Sequence, residues 1–487
     1  MEALRRETRR EPTYVYLMLL SSFVVAGVVF GILYFTLYPY LVIKPPAGSG
    51  PSGTGGSPES SGALSLSSRI LSEVAYYLSV ALVSSPAVAL FYIGLVTSIF
   101  LSEFSYLPLA LYHRRINERR TRSGLTRFPS ICVIVPAHNE EKTIETTIAT
   151  LLEQSYPNKE IMIVNDGSTD GTAAVVAPYA SLGQVTLYNR PASGGKAVAL
   201  NTGIAAARAE IIVVVDADSA LQRDALMRIA AHFEDERVEA VSGNVKVGNK
   251  VNILTYLQSL EYLRGINLRR RAFDILDTEL VVPGAVGAFR RSTYLDVGSL
   301  DSSTVVEDMD QTVKMVKAGK DIHYDPSVVA FTEAPETLGG LVRQRTRWYS
   351  GTLQVLVKHR HNWWKFGMVS LISYPYVILA NFFVPVFELL TLSLLFVYVY
   401  QQLFLGVILA AVAILAIEFS LSLAAVYLDR ESWRVVLYTP IYAFVYRYIL
   451  DVIRMKAYLD VFRGKVRWTR VERYGGLSGK IRETETL

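Results

Sequence analysis

Residues 211–218, Ile-Ile-Val-Val-Val-Asp-Ala-Asp, are five β-branched residues followed at once by two carboxylates. A short apolar run of this kind predicts a buried strand, here over Glu210–Val215. Two earlier runs lie at Ile131–Val135 and Glu160–Val164, and helix-like segments separate the three. Because strands that alternate with helices are typical of a mostly parallel sheet covered on both faces, the predicted fold is α/β and Rossmann-like.

All three predicted strands lead into polar residues. The first is followed by Pro-Ala-His-Asn-Glu at 136–140, the second by Asn-Asp-Gly-Ser-Thr-Asp-Gly at 165–171, and the third by Asp216 and Asp218. In open parallel sheets, ligands bind beyond the carboxyl ends of the strands. Three strands that deliver polar residues to one edge therefore predict a nucleotide site there.

Asp216 and Asp218 are the candidate metal ligands. Side chains two apart on extended backbone point to the same side, so both carboxylates can approach one ion. Mg²⁺ or Mn²⁺ takes oxygen ligands of this kind and would neutralise a pyrophosphate as it departs. A plain turn at a strand end is the alternative, and the neighbouring motifs favour the metal site.

Two further motifs have both a structural and a chemical interpretation. Glu307-Asp308 follows the apolar pair Val305-Val306, where acids commonly cap a helix, but one carboxylate can also act as a general base. Gly194-Gly195-Lys196 precedes a predicted helix, and its lysine is either solvated or close to a diphosphate. Its spacing is not that of a nucleotide-hydrolase P-loop.

Gln344, Arg347 and Trp348 lie three and four residues apart, hence on one helical face. An amphipathic helix at a membrane surface, with its arginine on lipid phosphate and its tryptophan at headgroup level, is one interpretation. In the context of the preceding carboxylates, the same face is predicted to point at the active site.

The composition of the 487 residues is that of a membrane protein with one soluble domain. Hydrophobic residues make up 51% and charged residues 19%, and the net charge of +5 comes from clustered basic residues. Nucleic-acid binding is therefore not expected, whereas contact with a lipid bilayer is. The single cysteine, Cys132, excludes an internal disulfide and is expected to be buried.

Two uncharged runs of 29 residues, 15–43 and 74–102, are each long enough to cross a bilayer. Arginines flank the pair on both outer sides, which predicts that the chain ends and the catalytic domain are cytoplasmic in a multi-pass plasma-membrane protein. The stretch 435–460 contains Arg447, Asp451 and Arg454, so an interfacial or bundle-buried helix is expected there.

The predicted domain organisation places a cytosolic catalytic domain between transmembrane helices. Its segments are an N-terminal anchor helix at 1–44, an external Gly/Ser/Pro linker at 45–69, a second transmembrane helix at 70–112, the cytosolic domain at 113–340, interface helices at 341–375, two transmembrane helices at 376–428, and a buried or interfacial helix with a basic tail at 429–487.

The order of these motifs resembles the family 2 glycosyltransferases of GT-A fold, and more closely the processive membrane synthases of cellulose, hyaluronan, chitin and poly-N-acetylglucosamine. Pro-Glu-Thr-Leu at 335–338 followed by Gln-Arg-Thr-Arg-Trp at 344–348 is most similar to the poly-N-acetylglucosamine synthases. Trp468 and Arg473 in the tail are similar to that subgroup as well. The resemblance covers about residues 125–360 and, more loosely, the flanking helices.

The resemblance implies a role for each candidate site residue. Asp308 is the base, Glu307 is its motif partner, and Asp310 is the second candidate base. The remaining roles are a donor pocket of Ala137, Glu140, Asp166, Lys196, Asp216 and Arg347, a metal held mainly by Asp218 with Asp216, and an acceptor site of Gln344, Trp348 and Gly284. The chain departs from the family at Asn165, where a second Asp is common, and at Val306, where Thr is common.

The predicted function is an inverting glycosyltransferase that elongates and exports a β-linked polysaccharide from UDP-N-acetylglucosamine or UDP-glucose, using Mg²⁺ or Mn²⁺. Its predicted partners are the donor, the growing chain, the bilayer and an accessory export or regulatory subunit. A non-processive transferase that adds one sugar to a lipid carrier is the alternative. A non-catalytic scaffold or channel is not favoured, because it does not explain why one chain contains Asp216, Asp218, Asp308 and Trp348 together.

Overall fold

A computed structural model describes residues 106–120, 125–361, 363–386, 388–389, 404–465 and 472–477. The anchor helices expected at 15–43 and 74–102, and the linker between them, lie outside these residues. The described chain divides into two compact units. One comprises 106–385 and 418–477, and the other includes 386, 388–389 and 404–417.

The first unit is built on an eight-stranded mixed sheet with the strand order β3-β2-β1-β4-β7-β6-β8-β5. The strands are β1 Ile131–Ala137, β2 Lys159–Asp166, β3 Thr186–Arg190, β4 Ile211–Val214, β5 Ser219–Leu221, β6 Val238–Val247, β7 Gly287–Arg290 and β8 Asp321–Thr332. The first four strands pair in parallel, and β7 joins β4 to β6 by antiparallel pairing. The predicted mostly parallel α/β sheet is confirmed.

The three predicted strands begin level with one another. Ile131 of β1 pairs with Lys159 of β2 on one side and with Ile211 of β4 on the other. Parallel strands that start in register also end at one edge, so the polar residues that follow them meet there. The expectation that these polar residues share one edge is confirmed.

Helices pack on both faces of the sheet, and further helices follow it along the chain. In chain order they are α1 Tyr106–Arg120, α2 Ile144–Leu152, α3 Thr172–Ser181, α4 Lys196–Ala206, α5 Ala225–His232, α6 Ile253–Glu261, α7 Arg269–Ile275, α8 Arg291–Asp296, α9 Glu307–Lys317, α10 Leu338–Lys358, α11 Met368–Leu371, α12 Ser373–Ile378, α13 Phe404–Asp429, α14 Thr439–Ile441 and α15 Arg447–Phe462. Short π-helical segments at Tyr262–Leu268, Leu379–Phe383 and Tyr442–Tyr446 interrupt the longer ones.

The core alternates between the two faces along each strand. Val133 and Val135 of β1 pack with α2 on one face, while Cys132 and Ile134 pack with α4 on the other. Cys132 is fully buried, as expected, and burial raises the pKa of its thiol. Hydrophobic residues on both faces explain why the strands read as continuous apolar runs in the sequence.

The helices after the sheet hold buried charge. Glu418 of α13 accepts hydrogen bonds from Arg264 and from Arg447, the latter at 2.7 Å. Within the described residues, two stretches, 368–386 and 433–462, are helical, long and apolar enough to cross a membrane by length and composition alone. Because Arg447 is paired inside the first unit, a bundle-buried helix at 435–460 stays the prediction for this segment.

Candidate active site

Asp216 follows β4 and Asp218 immediately precedes β5, at the edge where the parallel strands end. The Nζ atom of Lys196, the first residue of α4, lies 2.5 Å from an oxygen of Asp216 and 3.0 Å from an oxygen of Glu307. One ammonium therefore joins the metal motif to the acidic pair. Burial alone would raise the pKa of Asp216, but the Lys196 ammonium lowers it overall, and Arg347 adds to that effect.

Asp308 lies beside this ion pair. Its Oδ1 atom accepts a hydrogen bond from the Met309 N–H at 2.8 Å, and its Oδ2 atom accepts a long one from the Gly284 N–H at 3.4 Å. Burial raises the pKa of Asp308, and the adjacent Glu307 raises it further. A carboxylate with a raised pKa is a stronger base, which suits the predicted role.

Gly284 occupies a position where a side chain would not fit. A Cβ atom added there would lie 2.5 Å from Lys196 Nζ and 3.3 Å from an oxygen of Asp216. The backbone before β7 therefore approaches the ion pair directly. Gly284 thus lies against the Lys196–Asp216 pair, and its predicted contact with an acceptor stays a prediction.

Arg473, from the tail, is the site residue that the predicted set omitted. Its guanidinium contacts the Asp218 carboxylate and lies 3.3 Å from an oxygen of Glu140. Burial raises the pKa of Glu140 to about 7, an effect that Arg473 opposes and Asp218 reinforces. The segment 472–477 is held by Glu333, which accepts hydrogen bonds from the Tyr474 and Gly476 N–H groups.

Asp166 ends β2 and binds the loop before α4. Its carboxylate accepts hydrogen bonds from Ser193 Oγ at 2.8 Å, from the Gly195 N–H at 2.9 Å, and from the Arg190 guanidinium. This carboxylate thus fixes the glycine loop that presents Lys196. The predicted place of Asp166 in the donor pocket stays a prediction, as does that of Ala137, which ends β1 and is buried.

The helix α10 brings the last three predicted residues to the site. Thr337 caps it by accepting a hydrogen bond from the Gly340 N–H at 3.2 Å. Gln344 is buried, and the half-buried Trp348 packs against the sheet core with its ring centroid 6.1 Å from that of Tyr262. Arg347 lies close enough to act electrostatically on Asp216. Of the three residues on this helical face, Arg347 therefore acts on a site carboxylate, and the predicted acceptor roles of Gln344 and Trp348 stay predictions.

The carboxylates fit a divalent ion chemically. Asp216 and Asp218 offer the hard oxygen donors that Mg²⁺ and Mn²⁺ prefer. Both already bind cationic groups of the chain, Lys196 and Arg473 respectively, so the site is arranged to hold positive charge. Asp216 and Asp218 are therefore the residues that could hold the ion, and their role as metal ligands stays a prediction.

Residues 132–298 match the family model "Glycosyl transferase family 2", so the chain contains a family 2 glycosyltransferase domain. The predicted enzyme class is confirmed.

The chain is homologous to two bacterial synthases. It is 33% identical over 249 residues to the poly-beta-1,6-N-acetyl-D-glucosamine synthase of Staphylococcus aureus, a match that covers 49% of this chain and 60% of that relative. It is 32% identical over 229 residues to the synthase of the same name from Staphylococcus epidermidis, covering 47% and 56%. The chain thus matches less than two thirds of the length of either relative.

One solved structure shows the same fold. The mannosyltransferase PcManGT from Pyrobaculum calidifontis, in complex with GDP-Man and Mn²⁺, superposes with a TM-score of 0.50 at 22% identity. The match covers 74% of this chain and 97% of that one. It supports the GT-A fold class predicted from the sequence.

Gly351 of α10 sets the distance between this helix and the acidic pair. A Cβ atom added there would lie 2.6 Å from both methyl groups of Val306, the residue before Glu307. We expect Gly351→Ala to cost about 1–3 kcal/mol in unfolding free energy and to lower turnover, because the overpacked contact must move α9 away. Thermal melting and turnover of the purified protein measure both effects.

Gly339→Ala on the same helix is the matched control. Gly339 is exposed, and the nearest atom to an added Cβ is Arg343 Nη1, 3.6 Å away. This variant gains the same helix propensity without a clash and should melt no lower than the native protein. Equal melting temperatures and turnover for the two variants would contradict the close-packing explanation.

Proposed function

We propose that this chain is a membrane-embedded inverting glycosyltransferase that polymerises a β-linked polysaccharide from a UDP-sugar and exports it. The observation that carries the proposal is the joining of three motifs at one sheet edge. Lys196 bridges Asp216 to Glu307, and Arg347 of α10 acts on the same Asp216. UDP-N-acetylglucosamine is the first donor candidate, because the homologous staphylococcal proteins are named poly-β-1,6-N-acetyl-D-glucosamine synthases. UDP-glucose is the second.

The proposed chemical step uses Asp308 as the general base. An acceptor hydroxyl loses its proton to the Asp308 carboxylate while its oxygen attacks the anomeric carbon from the face opposite the nucleotide. The bond from that carbon to the diphosphate oxygen breaks, and its electron pair leaves with the nucleoside diphosphate. One attack from the opposite face inverts the configuration, which gives a β-linkage from an α-linked donor.

Cationic side chains offset the charge of the leaving diphosphate. Lys196 and Arg347 are the protein groups placed for this role, and a divalent ion bound by Asp216 and Asp218 would supply Lewis-acid stabilisation of the same charge. Gln344 and Trp348 hold the acceptor sugar, the first by a hydrogen bond and the second by its apolar plane. Asp166, Ala137 and Glu140 line the nucleotide pocket.

The placement in the membrane belongs to the same proposal. Helices before 113 and after 375 would embed the enzyme in the plasma membrane, with the catalytic domain and both chain ends in the cytoplasm. The apolar helical stretch at 368–386 supports this arrangement, whereas 433–462 includes the helix expected to be buried in the bundle. A growing polymer that starts beside Trp348 could then leave through the helices that follow α10.

Purified protein in lipid, supplied with a panel of labelled UDP-sugars, tests the proposal. We expect a high-molecular-weight product from one UDP-sugar only when Mg²⁺ or Mn²⁺ is present, because the excess of carboxylates at the site calls for a divalent cation. Gel filtration and digestion by linkage-specific glycosidases identify the product. A lipid carrying a single sugar would instead establish the non-processive alternative, and no turnover of any UDP-sugar would refute the proposal.

A further inference from the structure

Arg345 is a wholly buried arginine between the two predicted acceptor residues of α10. Its side chain is 0% exposed, although arginine is rarely buried unless it is paired. The partner is Glu261, the last residue of α6. Arg345 Nε and Nη2 donate to the two carboxylate oxygens of Glu261 at 3.0 and 2.7 Å, a two-point contact that fixes the plane of the guanidinium.

The remaining nitrogen of this guanidinium orients Gln344. Arg345 Nη1 donates a hydrogen bond to Gln344 Oε1. Because arginine is a donor only, the atom that faces it must be the amide oxygen, and the donor Nε2 occupies the other branch of the amide. The contact with the arginine therefore fixes the orientation of the Gln344 amide. The group that remains available on its other side is the Nε2 donor and not the acceptor oxygen.

The same guanidinium supports the indole of Trp348. Its carbon Cζ lies 4.1 Å from the ring centroid of Trp348 and 5.7 Å from that of Tyr262. A desolvated arginine over an aromatic face is attracted by the ring quadrupole. The guanidinium thereby occupies one face of the indole and holds the plane of the ring in place.

Glu261 connects this arrangement to the helices that follow the catalytic domain. The hydroxyl of Tyr446, the last residue of the π-helical segment Tyr442–Tyr446, donates to Glu261 Oε2 at 2.6 Å. Asp218 also acts electrostatically on Tyr262, whose ring centroid lies 6.1 Å from that of Trp348. The buried arginine is thus in contact with groups that reach the acceptor side, the metal motif and the helix bundle.

We propose that Arg345 is a positioning residue of the acceptor site: anchored by Glu261, it fixes the amide of Gln344 and the indole of Trp348 that receive the growing sugar chain. The inference rests on the proposed function, since the acceptor roles of those two residues are part of it. A buried ion pair generally adds little net stability compared with apolar residues of similar volume. Geometry therefore explains a buried arginine here better than stability does.

Steady-state kinetics with two substrates tests this role. The donor is UDP-N-acetylglucosamine with Mn²⁺, and the acceptor is a β-1,6-linked N-acetylglucosamine tetrasaccharide. We expect Arg345→Lys to raise the acceptor KM about tenfold, because an ammonium keeps the charge but loses the planar fork and the stacking. The donor KM, and the release of UDP without acceptor, should stay within about twofold of the native values.

Two further variants keep the test independent of folding defects. Glu261→Gln preserves shape but not charge, and Tyr446→Phe removes a single hydroxyl; each should raise the acceptor KM in the same direction by a smaller factor. Arg343→Lys makes the same substitution at an exposed arginine of the same helix and should leave both KM values unchanged. The three variants alter the contact between Glu261 and Arg345 or its support by Tyr446, whereas the control variant leaves that contact intact.

The possible outcomes separate this inference from the function on which it rests. A selective rise in the acceptor KM supports the positioning role. A fall in the amount of active enzyme with both KM values unchanged shows a merely structural role and overturns the inference alone. Failure of the native protein to release UDP from this donor, with or without the tetrasaccharide, overturns the proposed donor and the inference together.

Discussion

Asp308→Asn is expected to bind the donor with native affinity and to lose transfer by about 10²–10⁴-fold, the usual contribution of a general base. Asparagine keeps the size of the side chain, and its amide oxygen can still accept the hydrogen bond from the Met309 N–H. It cannot take a proton from the acceptor hydroxyl. Donor affinity measured by calorimetry and transfer measured by UDP release separate binding from chemistry.

Asp310→Asn is the control, because Asp310 is the second candidate base. Asp310 is fully buried, and its carboxylate binds His359 at 2.8 Å and Lys358 at 3.0 Å, which ties α9 to the end of α10. We expect this variant to lose stability rather than the chemical step. Native turnover by Asp308→Asn would exclude Asp308 as the base. If only Asp310→Asn lowered the rate of sugar transfer per molecule of folded enzyme, the base would instead be Asp310.

Asp218→Asn is expected to weaken activation by Mn²⁺ by more than about 100-fold. Changes to groups that only support metal ligands already cost about 10–100-fold in affinity, and Asp218 is proposed as a direct ligand. The variant also removes the carboxylate that faces Arg473. Turnover as a function of Mn²⁺ concentration, together with Mn²⁺ binding followed by electron paramagnetic resonance, measures the effect.

The matched control for that experiment is Glu236→Gln. Glu236 is an exposed acid of the same domain, in the turn before β6, and it loses the same unit of charge without touching the site. Its Mn²⁺ dependence should match that of the native enzyme. If Asp218→Asn showed the same dependence of turnover on Mn²⁺ concentration as the native enzyme, Asp218 would be excluded as a metal ligand.

The part of the site that the sequence could predict follows from local patterns. The β-branched run before Asp216 predicts a strand, and strands of this kind deliver their next residues to a common edge, as the level start of Ile131 and Ile211 confirms. Spacing of three and four places Gln344 and Trp348 on one helical face. Roles for these residues came from the family resemblance and remain predictions.

The part that the sequence could not predict depends on contacts between distant segments. Arg473 reaches Glu140 across 333 residues, and Arg345 reaches Glu261 across 84, and no local periodicity signals either pairing. The family resemblance points to Arg473 in the tail without placing it at the site, and Arg345 is one of three arginines in Arg-Gln-Arg-Thr-Arg at 343–347. The antiparallel insertion of β7 between β4 and β6 was likewise not predicted, because its four residues carry no distinctive pattern.

The charges gathered at the strand edge have a thermodynamic consequence. Among the described residues that interact there, five carboxylates, those of Glu140, Asp216, Asp218, Glu307 and Asp308, face three cations, Lys196, Arg347 and Arg473. A nucleotide-sugar adds a negative charge on each phosphate to a site in which carboxylates already outnumber cations. A divalent cation must therefore bind more tightly when the donor is present, and by reciprocity the donor must bind more tightly in proportion when the cation is present.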